Sequence, residues 1–222
     1  MPLPPEPLLR LNDVSMRFGA KTVLSPVSLV IRAGDFIAVS GSNGGGKTTL
    51  LRIMLGLLRP ATGSVEYLLN GRRVSYISTG YLPQKSSVDS HFPLTVREVI
   101  DSGLLTSGFR RPSVEDLDAA CAIAEHFGLS DLLDRVLGDL SGGQVQRALI
   151  TRALVSRPRF IVFDEPFSYL DRANGDLLTA TLEELRGTAT VVMVSHRRER
   201  IQKLATRRWE VDHGVTEIPS LP

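Results

Sequence analysis

Apolar positions fall into short runs before Gln84 and again after Arg157, with a helical period between them. Leu8 to Phe18 alternates loosely into a turn at Gly19, and Val23 to Ile31 closes on Arg32-Ala33-Gly34-Asp35. Such runs predict two strands of a small antiparallel sheet. Phe36-Ile37-Ala38-Val39 is apolar throughout and predicts a buried strand, with a helix over Leu50 to Leu55 after it. Gly56 to Gly63, containing Arg59-Pro60, stops that helix. Val65 to Leu69, the turn Asn70-Gly71 and Val74 to Ile77 predict a hairpin. Gly80-Tyr81-Leu82-Pro83-Gln84 predicts a short strand, and Ser86 to Pro93 a polar loop.

From Thr95 the period is helical. Thr95-Val96-Arg97-Glu98 has the spacing of a capping box. After a break at Arg110-Arg111-Pro112, Ser113 predicts the cap of a helix with Leu117, Cys121, Ala124 and Phe127 on one face. Ser130 and Asp131 open a short helix ending near Gly138, and Val145 to Val155 predicts another. Phe160-Ile161-Val162-Phe163 and Thr190 to Val194 read as buried strands, with a helix over Leu177 to Leu185 between them. Trp209 to Val211 and Val215 to Ile218 predict a closing hairpin around Asp212-His213-Gly214. The pattern is that of an α/β chain, one large domain or two small ones: a mostly parallel sheet with a small antiparallel part, interrupted by a mostly helical segment.

A hydrophobic share of 42% and a charged share of 23% supply an ordinary core. A net charge of +2 is too small to argue for nucleic acid or an anionic membrane surface. The single cysteine, Cys121, excludes an internal disulfide, fits a reducing compartment and is expected to pack as a thiol within its helix. No apolar run has the length of a bilayer span, and Met1 to Pro7 reads as a proline-rich lead-in rather than a signal peptide. A cytosolic protein is expected, with any membrane role coming through a partner.

Chemistry concentrates in three stretches. Gly41-Ser42-Asn43-Gly44-Gly45-Gly46-Lys47-Thr48-Thr49 lies between a predicted strand and a predicted helix, the context of a phosphate-binding loop. Glycines let successive N–H groups turn inward on an anion, and the helix start adds its own unpaired N–H groups. Lys47 can reach β- and γ-phosphates and the Thr48 hydroxyl can ligate Mg²⁺. Asp164-Glu165 stands at the carboxyl end of a strand, where a carboxylate can hold a Mg²⁺ shell and another can orient or deprotonate water; an acidic strand cap is the plainer alternative. Ser141-Gly142-Gly143-Gln144 opens a helix and forms either a second anion site or an ordinary cap. Two phosphate-type sites in one chain call for an explanation, because one nucleoside triphosphate uses one loop.

Together these stretches resemble the nucleotide-binding subunit of an ATP-binding cassette (ABC) transporter, in order and over nearly the whole chain. Gly41–Thr49 is similar to the Walker A loop, Gln84 to the Q-loop glutamine and Leu140-Ser141-Gly142-Gly143-Gln144 to the family signature. Phe160–Glu165 resembles Walker B with the catalytic glutamate, Ser168-Tyr169-Leu170-Asp171 the D-loop, His196 the switch histidine and Phe18 the aromatic that stacks on adenine. The resemblance implies the ABC ATPase fold as a single domain over 1–222. In it 8–83 and 158–218 form the core with its antiparallel part, and 84–157 forms the helical subdomain.

It also implies ATP and Mg²⁺ as cofactors and a head-to-tail dimer with a second copy, in which Ser141, Gly142, Gly143 and Gln144 act on the partner's γ-phosphate. Thr48 and Asp164 then serve Mg²⁺, Gln84 senses metal and water, Glu165 polarises the attacking water, and His196 and Lys47 contact the γ-phosphate. The implied partners are a membrane-spanning permease, which would place the chain on the inner face of the cell membrane, and a substrate-binding protein; nucleic acid is not among them. Tyr81 to Gln84 followed by Val88 to Val96 resembles the cassettes of zinc, manganese and iron importers, and Phe92-Pro93-Leu94 is expected to face the permease. Another importer or exporter cargo is the alternative, and a non-transport ABC ATPase a more distant one. The chain departs from the family at Tyr169, where a small residue is usual, at Arg197, where an acidic one is common, and at Thr206-Arg207-Arg208, which replaces an aspartate-containing segment.

Overall fold

Strand β1 (Pro7–Phe18) turns at Gly19-Ala20 into β2 (Lys21–Arg32), and the two pair antiparallel with Leu9 opposite Ile31 and Val14 opposite Val27. The computed structural model describes residues 5–84, 93–105 and 111–219. Alternation along β1 breaks at Asp13, whose φ of 51° coincides with a shift of register between Leu11 and Val14. The Asp13 N–H is satisfied by the Ser28 hydroxyl oxygen at 3.0 Å. The bulge returns Val14 and Met16 to the buried side, alongside Leu24, Val27 and Ile31.

The described residues form two compact units, one of Met1–Ile77 and Leu185–Pro222, the other of Ser78–Glu184. In the first, a four-stranded antiparallel sheet has the order β2-β1-β4-β5, with β4 Thr62–Leu69 and β5 Arg72–Val74. The expected hairpin at Asn70-Gly71 forms, but its second strand stops at Val74 rather than at Ile77. The same unit holds β3 (Phe36–Ser40), parallel to both β8 (Thr190–Val194) and β9 (Arg207–Val211), with β10 (Val215–Ile218) antiparallel to β9. Every residue of β8 is buried, Thr190 together with the apolar run Val191 to Val194.

The departure at Thr206-Arg207 is structural. The Thr206 hydroxyl accepts from the Phe36 N–H at 2.9 Å, and the Arg207 guanidinium pairs with Asp35 at 2.9 Å and with both Glu217 oxygens at 2.7 Å. Those hydrogen bonds hold the Glu217 carboxyl below its usual range.

In the second unit β6 (Thr79–Leu82) and β7 (Phe160–Asp164) pair in parallel. Around them lie α2 (Val96–Asp101), α3 (Val114–His126), α4 (Gly142–Leu154) and α5 (Arg172–Glu184). The Thr95–Glu98 capping box forms, with the Glu98 carboxylate accepting from the Thr95 N–H at 2.7 Å. Ser113 caps α3 in the same manner, through Asp116. Arg147 of α4 donates to the carbonyls of Phe127 and Gly128, closing the carboxyl end of α3.

Two expectations for this unit are corrected. Cys121 is exposed and Leu117 is 39% exposed, because α3 buries the seam Ala120, Ala124 and Phe127 and turns the neighbouring positions outward. Ser130–Leu132 and Leu137–Asp139 are single 3₁₀ turns rather than one short helix. Most of the Ser86–Pro93 loop, with His91 and Phe92, and Arg110 at the break lie outside the described residues. No helix among the described residues is long and apolar enough to cross a membrane.

Candidate nucleotide-binding site

The first unit brings Gly41–Thr49 into one curled loop between β3 and α1 (Lys47–Met54). Gly41, Gly44 and Gly46 have φ values of 140°, 81° and 100°. A Cβ at Gly41 would fall on the Val211 carbonyl, and one at Gly46 would lie 2.7 Å from the Val23 carbonyl oxygen. These two positions therefore need glycine for both conformation and space. Gly46 sits at the N-cap of α1 with no side-chain cap, and the first turn of α1 carries no acidic residue. The N–H groups of Lys47, Thr48 and Thr49 thus open the helix under its positive dipole end. Lys47 Nζ donates to the carbonyls of Gly41 at 2.9 Å and Ser42 at 2.8 Å, folding the ammonium back over the loop. A curled backbone, an uncapped helix start and a lysine over the curl can bind an anion, and the spacing suits a nucleotide polyphosphate.

The β9–β10 turn holds this loop. Ser42 Oγ donates to Asp212 Oδ1 at 2.7 Å, the His213 N–H donates to the Gly45 carbonyl at 2.9 Å, and the Ser25 N–H donates to the His213 carbonyl at 2.7 Å. Sequence reasoning placed Asp212 and His213 in a turn and assigned them nothing. Ser42 and Asp212 are 170 residues apart, and no local pattern links them. Phe18 is 53% exposed at the end of β1. His196 is exposed two residues past the end of β8, after a turn in which the Arg197 N–H donates to Ser195 Oγ at 3.1 Å.

In the second unit Asp164 ends β7 and is 3% exposed, while Glu165 takes a left-handed φ of 58°. The backbone then turns, with the Ser168 N–H on the Glu165 carbonyl at 3.2 Å, and Tyr169 is again left-handed at φ 65°. Asp171 starts α5, which begins well before the expected Leu177. Its carboxylate accepts from the backbone and side-chain N–H groups of Asn174, and these hold it below the usual carboxylate range. Gln84 is exposed two residues beyond β6.

Ser141 closes a capping box with Gln144. Its hydroxyl oxygen accepts the Gln144 N–H at 3.3 Å, and Gln144 Oε1 accepts the Ser141 N–H at 2.8 Å. Gly142 and Gly143 supply the other N–H groups of that first turn. Gln146, which sequence reasoning did not single out, is buried and donates to the carbonyls of Glu165 and Pro166. Among the described residues, no group of three or more His, Cys, Asp and Glu side chains is placed to hold a metal ion.

A glycine-rich loop that opens a helix after a strand with parallel neighbours on both sides defines a P-loop nucleotide-binding protein. The ABC transporter family matches residues 24–168. The chain belongs to that family, as one of its ATP-hydrolysing cassettes.

The "Probable metal transport system ATP-binding protein" of Chlamydia trachomatis is 40% identical over 84% of this chain and 80% of its own length. The high-affinity zinc uptake system ATP-binding protein of Bacillus subtilis is 34% identical over 93% and 92%. The ergothioneine transport ATP-binding protein of Helicobacter pylori is 35% identical over 92% and 97%. A dimeric bacterial ABC transporter cassette of known structure superposes with a TM-score of 0.83 at 25% identity, covering 97% of this chain and all of that one.

Proposed function

We propose that this chain is the ATPase subunit of an ABC importer that takes up a transition-metal ion of the zinc, manganese or iron type. The observation that supports the cargo is the chain's similarity to a metal transport ATP-binding protein and a zinc uptake ATP-binding protein, 40% and 34% identical over 84% and 93% of its length. In this reading Gly41–Thr49 cradles the ATP phosphates, Lys47 neutralises them and Phe18 stacks on the adenine. Thr48 and Asp164 offer hydroxyl and carboxylate oxygens, the hard donors Mg²⁺ prefers, and would hold it with Gln84. The ion, when bound, neutralises charge on the transferring phosphoryl group. Glu165 orients and deprotonates the attacking water, and His196 contacts the γ-phosphate. Ser141 to Gln144 complete the site of a second copy in a head-to-tail dimer, which explains two anion-type turns in one chain. The dimer works on the inner face of the membrane beneath a permease and receives cargo through a substrate-binding protein. Residues 8–83 and 158–218 make the core and 84–157 the helical subdomain of the single cassette.

Ergothioneine is a second reading, favoured by the Helicobacter pylori relative. Deleting the gene and measuring uptake of radioactive zinc, manganese and iron beside labelled ergothioneine separates the two. The first reading predicts loss of one metal's uptake with ergothioneine uptake intact. Loss of ergothioneine uptake alone would overturn it.

A further inference from the structure

Gln146 is 2% exposed on α4, beside the buried apolar residues Val145, Ala148, Leu149 and Ile150. A buried amide costs about 1–3 kcal/mol unless it is hydrogen-bonded. Here Nε2 donates to the Glu165 carbonyl at 3.3 Å and to the Pro166 carbonyl at 3.0 Å. Both partners are acceptors, so only the nitrogen end of the amide can face them. The two carbonyls belong to Glu165, at φ 58°, and to the residue after it. A non-glycine residue in that region costs about 1–2 kcal/mol and persists where its surroundings over-determine it. The Ser168 N–H is a local restraint on the Glu165 carbonyl, and Gln146 is one from a distant helix.

A second contact lies on the same face of α4. A Cβ on Gly143 would meet the Tyr169 carbonyl oxygen at 3.0 Å. Gly143 and Gln146 are three residues apart, so one helix face touches the Glu165–Tyr169 segment twice. Gly143 is part of the signature turn capped by Ser141 and Gln144.

We infer that Gln146 is a positioning residue for Glu165, and that it makes the signature turn and Glu165 of one subunit move as one block. This rests on the reading of Glu165 as the residue that activates water. Gln146 acts through the Glu165 and Pro166 carbonyls: it sets the backbone from which the Glu165 carboxylate projects. A group that orients an attacking water loses much of its effect when displaced by about 1 Å.

The test uses the full chain and phosphate release. Gln146→Met keeps nearly the volume and removes the donor; Gln146→Glu keeps the shape and sets a carboxylate against two carbonyl oxygens. Both are expected to lower kcat about tenfold to a hundredfold, with KM for ATP within about twofold of wild type. In a Glu165→Gln background, Gln146→Met is expected to cause no further loss of residual single-turnover hydrolysis, since no base remains to be misplaced.

Full turnover in Glu165→Gln alone would remove the base assignment, and the inference with it. An inactive Glu165→Gln beside Gln146 variants at wild-type kcat would overturn the positioning role and leave the base standing. An equal further loss in the Glu165→Gln background, or a loss of kcat/KM carried by a rise in KM with kcat unchanged, would assign Gln146 a general structural role instead. Should Gln146→Met fail to fold, Gln146→Glu is read in the same cycle.

Discussion

The phosphate loop and the Glu165–Tyr169 segment both use left-handed backbone, and they hold it by opposite means. In the loop the left-handed positions are Gly41, Gly44 and Gly46, which enter that region without strain. What the loop needs is room, and the Val211 and Val23 carbonyls define how little there is. In the other segment the left-handed residues are Glu165 and Tyr169, which carry side chains. Glycine is not available to Glu165 if its carboxylate is to act, so the strain there must be offset by contacts made elsewhere. Gln146, the Ser168 N–H and the close approach of Gly143 provide them. A binding loop made of backbone can be relaxed; a segment that must present a side chain depends on its neighbours for shape.

Three substitutions break or sharpen this contrast. Gly46→Ala has the largest expected effect: a strained φ of 100° and a contact with the Val23 carbonyl should cost about 2 kcal/mol of stability and lower ATP affinity more than about tenfold. Denaturant melts and nucleotide titration measure both, and wild-type values would show that the loop adapts to a side chain. Asp212→Ala comes next. It removes the acceptor of the Ser42 hydroxyl and should weaken ATP binding by about twofold to fivefold, the scale of one partly exposed hydrogen bond. Asp212→Asn keeps an acceptor and should move the affinity less; equal losses in the two variants would point to charge instead. Tyr169→Gly has the smallest. Tyr169 is 62% exposed, so relief of backbone strain should offset the loss of the ring and leave thermal stability within about 1 kcal/mol of wild type. A loss above about 2 kcal/mol would mean that the ring itself holds the segment.

The same contrast explains what was legible in the sequence. Glycine spacing before Lys47 is dictated by a backbone shape, and that shape can be read without knowing any partner. The Thr95–Glu98 cap, the Ser113 cap, the Asn70-Gly71 hairpin and the fully buried β7 and β8 were legible for the same reason, since each is decided within a few residues. Gln146 and Asp212 were not. A glutamine in an amphipathic helix and an aspartate in a turn look solvated until the chain brings carbonyls or a hydroxyl to them from 20 and 170 residues away. Cys121 failed in another way: Leu117, Cys121 and Ala124 share a helical stripe with Ala120, and only packing decides which edge of the stripe is buried. The start of α5 was missed because Asp171 caps through Asn174, and Asn174-Gly175 reads as a break. Gln84, His196 and Phe18 acquired roles from family resemblance rather than from local chemistry.

Glu165, held in a strained turn, is proposed to activate water for ATP hydrolysis between two copies of this chain. The most direct test is Glu165→Gln, purified with ATP and Mg²⁺ and followed by phosphate release and size-exclusion chromatography. The substitution keeps the shape and removes the base. Hydrolysis should fall about a hundredfold or more while ATP stays bound and a nucleotide-dependent dimer accumulates. Phosphate release at the wild-type rate would contradict the account.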